Sequence, residues 1–266
     1  MSAPDSMSIA RLFDVSGKVA VVTGGSRGIG EMIARGLVEN GARTYIVARD
    51  TEACAATAAE LSKLGACIAL SGDLGTMEGV RAVAAAVAAR EPKLNILVNN
   101  AGFGNAAPFD QYTPEAFDRV MAINARAPFF LTQALLPQLR AAASAEDPAR
   151  VISMSSGAGL RPLGKGSYSY GASKAAEIHL AQRLALELAP EHINVNAMTP
   201  GRVLTPMLAA HAERTGASLT SNIPTGRLTN AEEMAGAVLY LCSRAGANVT
   251  GVCLNVDGGQ ALWTGS

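Results

Sequence analysis

The chain has 266 residues, 49% of them hydrophobic and 27 of them glycine, and its 22 Lys and Arg balance 22 Asp and Glu to a formal net charge of zero. That balance gives no broad electrostatic case for nucleic acid or an anionic membrane as partner, and no stretch approaches the ~20 apolar residues of a membrane span. Cys54, Cys67, Cys242 and Cys253 are scattered without a C-x-x-C pair, which fits buried thiols in a reducing compartment better than metal or redox chemistry.

The opening residues, 1–14, carry Asp5 and Arg11 but no long apolar core, and read as an N-terminal extension rather than a signal peptide or anchor. Cytoplasm is the expected location. No Pro-rich or Ser-rich linker, charge block or repeat divides the remainder, so 15–266 reads as one domain. Residues 18–23 form a short apolar run ending in a Gly-rich turn, the pattern of a buried strand. A helix is expected over 28–40, ended by Gly41, then a strand over 44–48 and an Ala-rich helix over 51–64. A strand over 67–71, a helix over 76–90 and a strand over 96–99 follow. One long helical region is expected over 114–143, a strand over 151–155 and a helix over 169–189. The last elements are a strand over 193–198, a helix over 231–242 and a strand over 253–256. This alternation predicts an α/β fold: a Rossmann-type, doubly wound parallel sheet with helices on both faces. Ligands in such sheets bind beyond the carboxyl ends of the strands.

The chemistry-bearing residues fall at those ends. Gly24, Ser26, Arg27, Gly28, Ile29 and Gly30 lie between the first strand and the first long helix, where a dinucleotide phosphate would rest on a helix N-terminus. The spacing is G-x-x-x-G-x-G rather than G-x-G-x-x-G. At the end of the second strand stand Arg49 and Asp50. A carboxylate there holds the ribose 2′-hydroxyl of NAD, whereas Arg49, with Arg27, would pair with a 2′-phosphate. Asp50 either points inwards, favouring NAD, or caps the next helix; NADP is the preferred reading. Tyr170 and Lys174 lie four residues apart on one helical face, and an ammonium beside a phenol lowers its pKa towards a useful range. Tyr168 has Ala172, not a lysine, at that spacing. His179, His192 and His211 show no ligand spacing, and no metal is expected.

With these motifs in place, the chain resembles the short-chain dehydrogenase/reductase family over nearly its whole length. The matching marks are Thr23 to Gly30, Asp73 with Leu74, Asn99 to Gly102, Asn124, Ser156, Tyr170 with Lys174, and Pro200 with Gly201. Within the family it is most similar to NADPH-dependent 3-oxoacyl (β-ketoacyl) reductases of the kind associated with rhamnolipid producers. The resemblance implies that Tyr170 donates a proton to a substrate carbonyl as hydride arrives from NADPH. Ser156 would bond that oxygen, and Lys174 would depress the tyrosine pKa and bind the nicotinamide ribose. Ser156, fourteen residues before Tyr170, fits the family interval better than Ser155. Asn124 would bind a water linking Lys174 to solvent. Pro128, lacking an N–H, would leave the Asn124 carbonyl free by kinking the helix. Asp73 and Leu74 would contact the adenine, Asn100, Ala101 and Gly102 the adenosine ribose side, and Pro200, Gly201, Val203 and Thr205 the nicotinamide end.

The segment 202–225 would cover a small-molecule carbonyl or alcohol substrate, with Met207, Leu208, Ala209 and Ala210 followed by Glu213, Arg214 and Thr215. Glu191 stands where reductases of fatty-acid synthesis often carry an arginine that meets an acidic carrier protein, which favours a coenzyme A thioester or a free ketone. A sugar, polyol or steroid alcohol is the alternative substrate within the family. A nucleotide sensor without turnover is the alternative outside enzymes, and the intact Asn124, Ser156, Tyr170 and Lys174 speak against it. The family implies a homotetramer or homodimer built on the helices of 114–143 and 169–189. Trp263, the single tryptophan, would join a second interface or close over the chain's own core.

Overall fold

The computed structural model describes residues 7–205, 208, 213 and 218–263. The elements run α1 (Ile9–Leu12), β1 (Val19–Thr23), α2 (Gly28–Glu39), β2 (Arg43–Ala48), α3 (Thr51–Leu61), β3 (Cys67–Ser71), α4 (Met77–Ala88) and β4 (Ile96–Asn99). They continue with α5 (Pro114–Met121), α6 (Ala127–Ala134), α7 (Leu136–Ala142), β5 (Ala149–Met154), α8 (Tyr168–Leu188), β6 (Ile193–Pro200), α9 (Ala231–Cys242) and β7 (Cys253–Val256). The seven strands form one parallel sheet in the order β3-β2-β1-β4-β5-β6-β7. Chain order reverses between β1 and β4, the crevice where open α/β sheets bind ligands.

The central strands are buried on both faces, which is why they read as unbroken apolar runs rather than alternating ones. One core layer packs Ile33 and Leu37 of α2 and Met234, Val238 and Leu241 of α9 against the sheet. The opposite layer is made by Val80 and Val83 of α4, Leu131 of α6, Leu139 of α7 and Ala181 and Leu188 of α8. Side-chain caps set several helix starts. Asp50 accepts the Ala53 N–H at 3.0 Å, Thr76 accepts the Gly79 N–H at 3.0 Å, and Asn230 with Glu233 forms a reciprocal capping box on α9.

The long helical region expected over 114–143 is not continuous. A π turn, Ala122–Arg126, separates α5 from α6, and α7 begins anew at Leu136. Pro128 and Pro137 supply the reason: each sits in the first turn of its helix, where a missing N–H costs nothing. The helix expected over 51–64 stops at Leu61, and β6 extends to Pro200 because Thr199 and Pro200 continue to pair with β7. Cys54, Cys67 and Cys242 are buried thiols as expected, but Cys253, on β7, is only half-buried.

Candidate active site

The loops after β1 and β4 are built as one unit. Thr23 ends β1 buried, and its Oγ1 accepts the N–H groups of Asn100 and Ala101, each at 2.9 Å. Asn100 Nδ2 returns a bond to the Thr23 carbonyl at 2.9 Å and another to the Gly24 carbonyl at 3.3 Å. Gly24 has φ +66°, a conformation that favours glycine. At Gly30 a Cβ would fall on the Gly24 carbonyl and the Asn100 side chain. Ser26 is tied to α3 through Thr57, and Ile29, in the first turn of α2, packs against the core. The α2 N-terminus has no side-chain cap, so its first N–H groups are left to a ligand.

Arg27 and Arg49 are both exposed. Neither guanidinium has a partner among the described residues. Asp50 is committed to the α3 cap, which settles its role as the capping one. The donor set at this end of the cleft (an open helix N-terminus and two free guanidiniums) therefore fits a dinucleotide carrying a 2′-phosphate. Asp73 makes a turn with the Gly75 N–H at 3.0 Å, while Leu74 turns its side chain into the core, leaving only backbone there for an adenine. Thr205 lies over Gly28, Val203 is buried and bridges to Thr229, and Gly201 is bonded to Val256 at 2.9 Å beside Pro200.

Tyr170 and Lys174 stand on α8, with the ammonium 5.8 Å from the phenol ring centroid. Tyr170 and Ser156 line an open cleft of about 840 Å³ together with Pro200, Gly201, Arg202 and Trp263. The Tyr170 hydroxyl has no hydrogen bond among the described residues, whereas Tyr168 is stacked edge-on against Phe109 and Tyr112. The two serines differ in engagement: Ser155 Oγ donates to the Lys174 carbonyl at 2.7 Å and holds α8 to β5, while Ser156 starts a short 3-10 turn at the cleft. Lys174 is buried, donates to the Met154 carbonyl at 2.7 Å and lies 2.8 Å from Glu177. Trp263 lines the cleft, its carbonyl bonded by Arg161.

Asn124 sits in the π turn, fully buried, so the α-helical hydrogen-bond pattern changes just before Pro128, with the backbone still helical, and Asn124 does not face solvent. Its side chain has a task the sequence did not suggest. Oδ1 accepts the Phe103 N–H at 2.8 Å, and Nδ2 donates to the Phe103 carbonyl and to Ser173 Oγ, each at 2.9 Å. Asn124 thereby clamps the loop after Gly102 onto α8. Sequence reasoning also passed over Ser173 and Glu177, whose local signal was no more than a place on the Tyr170 helix. Of the expected cover over 202–225, Met207, Ala209, Ala210, Arg214 and Thr215 lie outside the described residues, as does His211; Leu208 and Glu213 are described. Among the described residues no cluster of three or more His, Cys, Asp or Glu is placed to hold a metal.

The chain is similar to known proteins over most of its length. Residues 18–216 match the short chain dehydrogenase family. A rhamnolipids biosynthesis 3-oxoacyl-[acyl-carrier-protein] reductase of Pseudomonas aeruginosa is 46% identical over 253 residues, covering 94% of this chain and 98% of that protein. The solved Pseudomonas aeruginosa RhlG/NADP active-site complex superposes with TM-score 0.91 at 46% identity, covering 94% of this chain and 98% of the other. A short chain dehydrogenase from Burkholderia cenocepacia in complex with NADP gives TM-score 0.84 at 33% identity over 93% of this chain and 99% of the other. The chain belongs to the short-chain dehydrogenase/reductase family.

Proposed function

We propose that the protein reduces the ketone of a 3-oxoacyl thioester to a secondary alcohol with NADPH, using Tyr170 as proton donor. The observation that carries this reading is the unpartnered Tyr170 hydroxyl at a cleft shared with Ser156 and backed by buried Lys174. Gly24, Ser26, Arg27, Gly28, Ile29, Gly30 and Arg49 would hold the phosphate end of the cofactor. Asp73, Leu74, Asn100, Ala101 and Gly102 would hold its adenosine, and Pro200, Gly201, Val203, Thr205 and Lys174 its nicotinamide side. When bound there, NADPH supplies a hydride. Ser156 donates a hydrogen bond to the substrate carbonyl oxygen and fixes it beside Tyr170. Tyr170 passes its phenolic proton to that oxygen as negative charge develops, and the Lys174 ammonium stabilises the phenolate left behind.

The thioester assignment draws on the Pseudomonas relative, whose name places its action on a 3-oxoacyl group, and on a cleft that sets Leu163 and Trp263 beside polar groups. Where an arginine would meet an acidic carrier stands Glu191, which Arg140 engages through two hydrogen bonds, and this favours a coenzyme A thioester over the carrier-bound one printed in the relative's name. The domain, 15–266, would be cytoplasmic, with the segment 202–225 closing over substrate. Exposed Phe117 on α5 and Leu186 on α8 support a homodimer or homotetramer joined through those helices.

The test follows NADPH consumption with a medium-chain 3-oxoacyl-coenzyme A, with NADH and Tyr170→Phe in parallel. Turnover that needs NADPH and disappears in the variant is the expected result. NADPH binding without turnover refutes the thioester and returns the search to sugar, polyol and steroid alcohols. A Tyr170→Phe variant altered only in cofactor affinity would make the protein an NADPH sensor.

A further inference from the structure

Beneath Lys174 lies a polar group that the reaction above does not use. Glu177 is three residues along α8, and the Glu177 and Lys174 side chains are 1% and 4% exposed, with the ammonium 2.8 Å from Oε2. The contact is an ion pair but is poorly aligned as a hydrogen bond, and neither carboxylate oxygen has a hydrogen-bond partner among the described residues. A cavity of about 10 Å³ adjoins the carboxylate, walled by Pro128, Phe129 and Thr132 of α6 and Ser153 of β5. That is about the room one water needs. Asn99, which bonds Thr132 at 3.2 Å and pairs in register with Ser153, also has an unpartnered Oδ1. The elements packed against Glu177 (the π turn, α6 and β5) bring no charged group to it among the described residues; Lys174 alone does.

A carboxylate this deep is costly unless its charge has a use or a partner. An ammonium acting alone on a phenol lowers the phenol pKa, whereas one held against a carboxylate acts with much of its field cancelled. We propose that Glu177 is a positioning residue of the active site: its carboxylate holds and screens the Lys174 ammonium, so that Tyr170 keeps its proton near neutral pH and the site is biased towards reduction. This rests on the roles given above to Tyr170 and Lys174. Burial pushes the Glu177 carboxyl up to about 7, with Lys174 opposing the shift. The screen is therefore weak in acid and strengthens as the pH rises through that value.

Glu177→Gln and Glu177→Leu remove the charge, and Glu177→Asp keeps it. Tyr170 ionisation is read by ultraviolet difference titration against the matching Tyr170→Phe variant, without substrate, beside pH profiles for reduction and for the reverse oxidation. Both neutral variants are expected to lower the Tyr170 titration and the alkaline limb of reduction by about one pH unit. They should also raise the oxidation-to-reduction ratio at neutral pH, while Glu177→Asp stays near the parent. A Tyr170 titration unmoved in folded neutral variants overturns the proposal, even where turnover falls. Failure of both neutral variants to fold, with Glu177→Asp folded, assigns the carboxylate to stability and overturns it too. If no carbonyl substrate turns over but the titration moves, the reductase reading fails and the role of Glu177 stands.

Discussion

Cofactor choice is where the structure makes its sharpest quantitative claim. Arg49 leaves β2 exposed, Arg27 does the same at the α2 N-terminus, and the neighbouring carboxylate, Asp50, is held by the Ala53 N–H. Neither arginine has an ion pair among the described residues to break on meeting a phosphate, so a charge-assisted bond is available to binding, about 1.5–3 kcal/mol for each. At about 1.4 kcal/mol per tenfold, Arg49→Ala is expected to raise the NADPH Kd by about 10- to 100-fold. NADH, which has no 2′-phosphate, should change by no more than about twofold. Arg27→Ala should act in the same direction, and the double variant should lose less than the sum, because both side chains would share one phosphate. The site is exposed, so the NADPH advantage should shrink as salt is raised. Calorimetric titration of both cofactors at low and high salt measures all of this. Equal losses for NADPH and NADH, or a salt-independent preference, would refute the placing of the 2′-phosphate between these guanidiniums.

Three further perturbations probe the frame of the site. Gly30→Ala would drive a Cβ into the Gly24 carbonyl and the Asn100 side chain; an overpacking cost of about 1–3 kcal/mol and loss of NADPH binding are expected, and unchanged cofactor affinity would show that the loop is not rigid. Asn124→Leu strips partners from the Phe103 N–H, the Phe103 carbonyl and Ser173 Oγ; at about 1–3 kcal/mol for a buried group left unpaired, with water reaching part of the loop, urea unfolding should show a loss of about 3 kcal/mol. Glu177 makes stability depend on pH. Its folded value of about 7 lies above the ordinary 4.5, so the native state binds the extra proton. The associated stability is fully present below the unfolded value and is lost as the pH rises through the folded one. The span corresponds to at most about 3 kcal/mol. Unfolding at about pH 5 and about pH 8 should therefore show a fall in the parent that Glu177→Gln flattens, and parallel curves would contradict the buried ionisation.

What was legible in the sequence and what was not divide along a physical line. Apolar runs, glycine turns and capping residues act within a few positions of themselves, so the order of strands and helices, the α2 N-terminus and the Tyr170–Lys174 face could all be read locally. That Pro128 would disturb the helix was legible for the same reason, but not that the disturbance would be a π turn in a backbone that stays helical. Contacts closed by the fold were hidden: Asn124 meets Phe103 twenty-one residues away, and Arg161 meets the Trp263 backbone across the cleft. Glu177 is the instructive case, because its spacing was in plain view. A Lys and a Glu three apart on a helix ordinarily form a solvated pair that contributes about 0.2–0.5 kcal/mol. Here α6 and β5 close over the pair. Burial removes the water that would screen it and turns a weak decoration into a charge able to act on Tyr170 through Lys174. Spacing alone could not carry that difference; it arises only when the helix disturbed at Pro128 is laid against α8.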